Sequence, residues 1–106
     1  MNALESTILT RFKELLLRRV KLHKLTLFGS RARGDADSSS DLDVLVVLEG
    51  STNREVRDFV SDCAWEAGFD HRIVVVPVVF SREEWENGLE SHSLLAQAVE
   101  AEGVPI

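Results

Sequence analysis

At 106 residues, with 44% hydrophobic and 28% charged side chains, the chain has the composition of one soluble globular domain built on a single core. Its 18 acidic and 12 basic residues give a formal charge of −6, which argues against a general nucleic-acid-binding surface but not against a small nucleotide held through a metal and local arginines. The one cysteine, Cys63, has no partner for an internal disulfide, no apolar run approaches ~18–20 residues, and no leader-like segment opens the chain; a cytoplasmic protein off the membrane is expected.

The first segment, Leu4 to Val20, is helical by period, with Leu4, Ile8, Phe12, Leu15 and Leu16 near one face. Lys24 to Phe28 reads as a short strand ended by Gly29, and Asp41 to Leu48 as a second strand. Thr52 with Glu55 has capping-box spacing and opens a helix through Val56, Val60, Cys63, Ala64 and Ala67, with Gly68 expected as its left-handed terminator. Ile73 to Phe80 is a β-branched strand, and Pro77 predicts an edge or a bulge because proline cannot donate to a ladder. Ser81 and Glu84 repeat the capping-box spacing ahead of a short helix with Trp85, and Asn87-Gly88 turns the chain. A last helix runs from Ser93 to Glu102, stopped by Gly103, leaving Val104 to Ile106 as a tail. The order α-β-α-β-α-β-α-α predicts a layered α/β sandwich.

The informative stretch is Gly29 to Val44, GSRARGDADSSSDLDV. Gly29 either ends a strand or lets backbone approach a phosphate, with Ser30 offering a hydroxyl and an amide. Arg31 and Arg33 are either a solvated helix face or a means of neutralising a nucleotide's charge through paired hydrogen bonds, Arg33 being the better placed. Asp35, Asp37 and Ser40 suit turns, and Gly34 lets the chain leave the short helix. Asp41 and Asp43, two apart in a strand, project to one side while Leu42, Val44, Val46 and Leu48 face the other. Two adjacent carboxylates repel each other, and a divalent cation relieves both the repulsion and the desolvation cost.

This pattern resembles the nucleotidyltransferases related to DNA polymerase β, specifically their smallest members, the minimal nucleotidyltransferases. The shared signature is the Gly29-Ser30 turn, Ala32-Arg33-Gly34, and Ser40-Asp41-Leu42-Asp43 on a strand. The resemblance implies a small mixed β-sheet flanked by helices, with the turn beside the acidic start of an antiparallel neighbour. It implies transfer of AMP from ATP with Mg²⁺ or Mn²⁺, Ser30 on the β/γ-phosphates and Asp41 and Asp43 as metal ligands. It further implies a helical HEPN-domain partner protein, often a ribonuclease toxin silenced by adenylylation or by binding.

One departure bears on activity. Relatives place a third carboxylate on a later strand, and Ile73 to Phe80 contains no acid. Asp70 is either that group, brought level with Asp41 by a right-handed crossover, or a turn residue after Gly68. His71 is a base or a solvated side chain. Without a third acid, the alternative is a binding module that keeps the fold and acts as an antitoxin by contact alone. A chain this short has little surface for an acceptor pocket, so a partner protein is expected to supply it. Trp65 and Trp85 are expected in core or subunit packing, the latter allowing a homo-oligomer, or in a partner patch. Cys63 is expected in the core, and His23 and His92 at the surface.

Overall fold

The computed structural model of the chain describes residues 1–37, 39–88 and 93–106. Its elements are α1 (Ala3–Leu16), β1 (Leu22–Phe28), α2 (Ser30–Arg33), β2 (Leu42–Leu48), α3 (Arg54–Phe69), β3 (Val75–Ser81), α4 (Arg82–Asn87), α5 (Leu94–Glu102) and β4 (Val104–Pro105). The four strands form one sheet in the order β3-β2-β1-β4. β1 runs antiparallel to β2, and α3 crosses over to return β3 parallel to it.

Every residue of β2 except Asp43 is buried, because both faces of the sheet are covered. Leu42, Val44, Val46 and Leu48 join Ile8, Leu9, Phe12 and Leu16 of α1 and Val60, Cys63, Ala64 and Ala67 of α3 in the main core. Leu45 and Val47 point the other way, into a smaller cluster with Val99 of α5, Phe28, Phe80 and Trp85. A doubly covered strand needs a continuous apolar run, and the one polar interruption is therefore conspicuous. Phe28 pairs with Asp43 in the β1–β2 ladder, so the end of β1 and the start of β2 lie side by side.

Three expectations need correction. The N-cap of α3 is Asn53, whose side chain accepts from Val56 N–H at 3.0 Å, not Thr52. Thr52 is committed elsewhere: its hydroxyl donates to Glu84 Oε1 at 3.0 Å and its carbonyl accepts from Arg57 Nε at 2.8 Å. Gly68 does not terminate α3 in a left-handed turn but lies inside the helix. A Cβ there would come within 1.9 Å of the Ile73 carbonyl oxygen, so the glycine serves close chain approach. The left-handed residue is Arg72, at φ 56°. Leu4, expected on the apolar face of α1, is exposed.

β3 is an edge strand, as Pro77 predicted, and stays in register with Pro77 opposite Val44. Leu42 N–H donates to the Val74 carbonyl at 2.9 Å, which fixes the alternation: Val75, Pro77 and Val79 turn their backbone groups away from β2. Pro77 has no N–H to offer on that side, and Arg57 Nη1 donates to the Val79 carbonyl at 3.2 Å. The opposite edge is closed by a pairing the tail was too short to announce: β4 pairs with Thr26 and Leu27, and Ile106 N–H donates to Leu25 O at 2.9 Å. Among the described residues no helix is long and apolar enough to cross a membrane.

Candidate functional site

The turn after β1 lies directly against Asp43. Gly29 has φ 79° and ψ −159°, a region essentially confined to glycine. A Cβ at this position would also fall 2.7 Å from Asp43 Oδ2. The backbone conformation is thus what disfavours a side chain, since the flexible end of the Asp43 carboxylate would only have to swing aside. Gly29→Ala is expected to lose about 1–3 kcal/mol from backbone strain alone, read as a lower midpoint in urea unfolding.

Ser30, half-buried, opens α2, whose single turn is closed by Gly34 in the left-handed conformation at φ 79°. The two arginines of α2 then diverge. Arg33 is exposed, with Nε donating to Asp35 Oδ2 at 3.1 Å and Nη1 to Glu102 Oε1 of α5 at 3.3 Å. Arg31 turns inward. It is 7% exposed and pairs with Glu5 of α1, itself 5% exposed, so neither a solvated face nor a phosphate contact describes it. Its Nη1 donates to Glu5 Oε2 at 3.2 Å and its Nε to the Ser40 carbonyl at 2.8 Å. The sequence signal was Glu5, on the core side of an apolar helix, where an unpaired carboxylate would be costly.

The segment entering β2 is a turn, as its Asp and Ser content suggested. The Asp37 carboxylate accepts from Ser39 N–H at 2.9 Å, Ser39 Oγ at 2.8 Å and Ser40 Oγ at 3.3 Å, and these bonds hold it below the usual carboxylate range. Beyond it, Asp41 is exposed and Asp43 half-buried. Burial pushes the Asp43 carboxyl above its ordinary value, and the negative charge of Asp41 pushes it further the same way. A carboxylate raised by desolvation is easier to protonate folded than unfolded. It therefore costs the fold stability once pH exceeds its folded value, and the cost disappears as pH falls below the unfolded one. Asp43→Asn is accordingly expected to raise the melting temperature at neutral pH without added cations. The gain should vanish near pH 3; a variant no more stable than the parent at pH 7 would contradict it.

Two hard oxygen donors, one desolvated and disfavoured as a bare anion, suit Mg²⁺ or Mn²⁺, which take few protein carboxylates and complete their shell with water and phosphate. Among the described residues no group of three Asp, Glu, His or Cys side chains gathers where an ion could be shared. The residue level with Asp43 on the parallel strand is Val76. Asp70 is the exposed C-cap of α3, followed by a turn before β3 begins, which is the turn role.

The remaining residues fall outside this cluster. Cys63 is buried in the core. Trp85 packs on Phe80 with ring centroids 5.4 Å apart, whereas Trp65 is 65% exposed, its ring 5.7 Å from that of exposed Phe69. His23 lies between Glu49, 3.2 Å from Nδ1, and Glu86, 3.3 Å from Nε2, at the far end of β1. His92 lies outside the described residues.

Comparison with known proteins agrees with this geometry. Residues 7–101 match the family model described as a nucleotidyltransferase domain. A Methanocaldococcus jannaschii protein provisionally named a protein adenylyltransferase is 31% identical over 62 residues, 58% of this chain and 63% of that protein. The chain therefore matches less than two thirds of that relative's length. A crystal structure of a toxin–antitoxin with AMP-PNP superposes with a TM-score of 0.63 at 24% identity, covering 91% of this chain and 69% of that one. A Sulfolobus solfataricus protein provisionally named a nucleotidyltransferase gives 0.53 at 23% identity, covering 99% and 86%. Both structural likenesses show the fold: a four-stranded mixed sheet flanked by helices.

Proposed function

The chain belongs to the nucleotidyltransferase-domain family, and from that premise we propose that it transfers AMP from ATP, with Mg²⁺ or Mn²⁺, to a hydroxyl of a partner protein. The observation that carries this reading is the contact of Gly29 with Asp43, which sets a turn with no side chain against a desolvated carboxylate. Asp41 and Asp43 would hold the cation. Bound there, it would supply charge neutralisation for the triphosphate and acidify the attacking hydroxyl.

Ser30 offers its hydroxyl and amide to the β/γ-phosphates, and Gly29 leaves room for the backbone to approach them. Arg33 is the mobile countercharge. Its bonds to Asp35 and Glu102 are exposed, so exchanging them for phosphate oxygens costs little. The acceptor oxygen bonds to the α-phosphorus as the bond to pyrophosphate breaks, in line with it. The hydroxyl proton passes to water or to a base of the partner, since no third carboxylate of the described chain is gathered at the site.

A protein acceptor fits the name of the Methanocaldococcus jannaschii relative. The toxin–antitoxin likeness supports a partner of toxin type, which we take to be a helical HEPN-domain protein. The test is intact-mass spectrometry of a co-expressed helical partner after incubation with this chain and Mg-ATP. An added mass of one or more AMP units is expected; no adduct under any nucleoside triphosphate overturns the reading. Val76 opposite Asp43, where an acid would strengthen catalysis, favours one alternative: a binding module that silences its partner without chemistry.

A further inference from the structure

The segment from Gly34 to Ser40 connects the Gly29-Ser30 turn to the acidic pair; Asp35 N–H donates to the Ser30 carbonyl at 3.2 Å and the β1–β2 ladder pairs Phe28 with Asp43, but neither involves Ser40 or Asp41, which precede β2. The bonds of Asp37 to Ser39 and Ser40 shape the turn internally but do not anchor it to the body of the protein. The anchor is Arg31. From α2, next to Ser30, it donates through Nε to the carbonyl of Ser40, the residue before Asp41, at 2.8 Å. Through Nη1 it reaches Glu5 Oε2 at 3.2 Å, and Glu5 Oε1 in turn accepts from Asn2 N–H at 2.9 Å. One buried cation thus joins the start of α1, the residue after Ser30 and the entry to β2.

We propose that the Arg31–Glu5 pair is a positioning device: it fixes Asp41 relative to Ser30, so that the cation-binding carboxylates and the phosphate-binding turn keep one spacing before any ligand arrives. This rests on the reading of Asp41, Asp43 and Ser30 given above. A planar guanidinium, with donors on Nε and Nη1 at a fixed angle, can serve a carbonyl and a carboxylate together; an ammonium cannot do so from the same place. The position is costly to hold, since both ions are desolvated, and a neutral pair of similar volume would pack there without that cost. The device therefore buys geometry rather than stability.

The experiment compares the full chain with the double variant Glu5→Gln/Arg31→Met and with Arg31→Lys. The double variant removes both charges, while the side-chain amide oxygen introduced by Glu5→Gln can still accept from Asn2 N–H. Backbone ¹⁵N relaxation without ligand is the first readout, and Mn²⁺ affinity from the signal of the free ion is the second. In the double variant, order parameters at Ser39 to Asp41 are expected to fall from about 0.85 to below about 0.6, with Val44 to Val47 unchanged. Mn²⁺ affinity is expected to drop at least ~10-fold. Arg31→Lys, which keeps the charge but not the fork, is expected to loosen the same three residues. If the double variant fails to fold, Arg31→Lys carries both measurements. Unchanged order parameters overturn the proposal, and so does a loosened loop with Mn²⁺ affinity within about twofold of the parent. If the parent itself binds no Mn²⁺, it is the metal reading that fails, and the order parameters alone decide the role of Arg31.

Discussion

Asp43→Ala is expected to lower AMP transfer to the partner protein by at least roughly 10³-fold, the scale lost when a charge-stabilising group is removed from a phosphoryl-transfer site. The fold should survive the change. Asp43 is the one residue of β2 that is not buried, no hydrophobic cluster includes it, and its carboxylate is held at a cost. A circular-dichroism melt no lower than the parent's, beside a vanished mass adduct, would separate lost chemistry from lost structure. The same variant decides between the two readings of function. If the chain silences its partner by contact alone, Asp43→Ala will still neutralise it in a growth assay. If silencing needs transfer, growth arrest returns.

The second large effect is on stability. Arg31→Met alone should cost about 3–5 kcal/mol, because it leaves the Glu5 carboxylate buried without its cation. For a domain of this size, that is a fall of more than ~10 °C in melting temperature. Adding Glu5→Gln to the same chain should restore most of the loss, since the double variant has no stranded charge. The measurement is a urea titration of the parent, the two single variants and the double variant. Equal losses in Arg31→Met and in the double variant would show that packing of the arginine stem, rather than the unpaired carboxylate, sets the cost.

The side on which Asp43 projects could be read directly from period, although β2 begins at Leu42, one residue after Asp41. Alternation puts Asp43 opposite Leu42 and Val44, and the glycine-serine turn at the end of β1 supplied its neighbour. The edge position of β3 was equally legible, because Pro77 removes a donor regardless of context. What failed were features fixed by the rest of the molecule. Thr52 and Asn53 are both good caps one residue apart, and the choice between them was made by Glu84, distant in sequence, together with Arg57 of the same helix, which occupy Thr52. Gly68 looked like a helix terminator, yet its reason is the carbonyl of Ile73 folded back against it. Arg31 read as a solvated face or a phosphate contact because nothing local says that Glu5 lies across from it. Pairings of this kind depend on how α1 docks beside α2, which no window of the sequence contains.

The treatment of the outer edge of β3 has a consequence for the protein at high concentration. A run of valines with bare amide groups along one side would invite another chain to extend the sheet, first into dimers and then into fibres. Here the sequence of outward-facing groups is interrupted twice, by a proline ring and by a guanidinium that occupies a carbonyl. Losing Arg57 would reopen part of that seam, so the arginine guards against self-templating as well as bridging to α3.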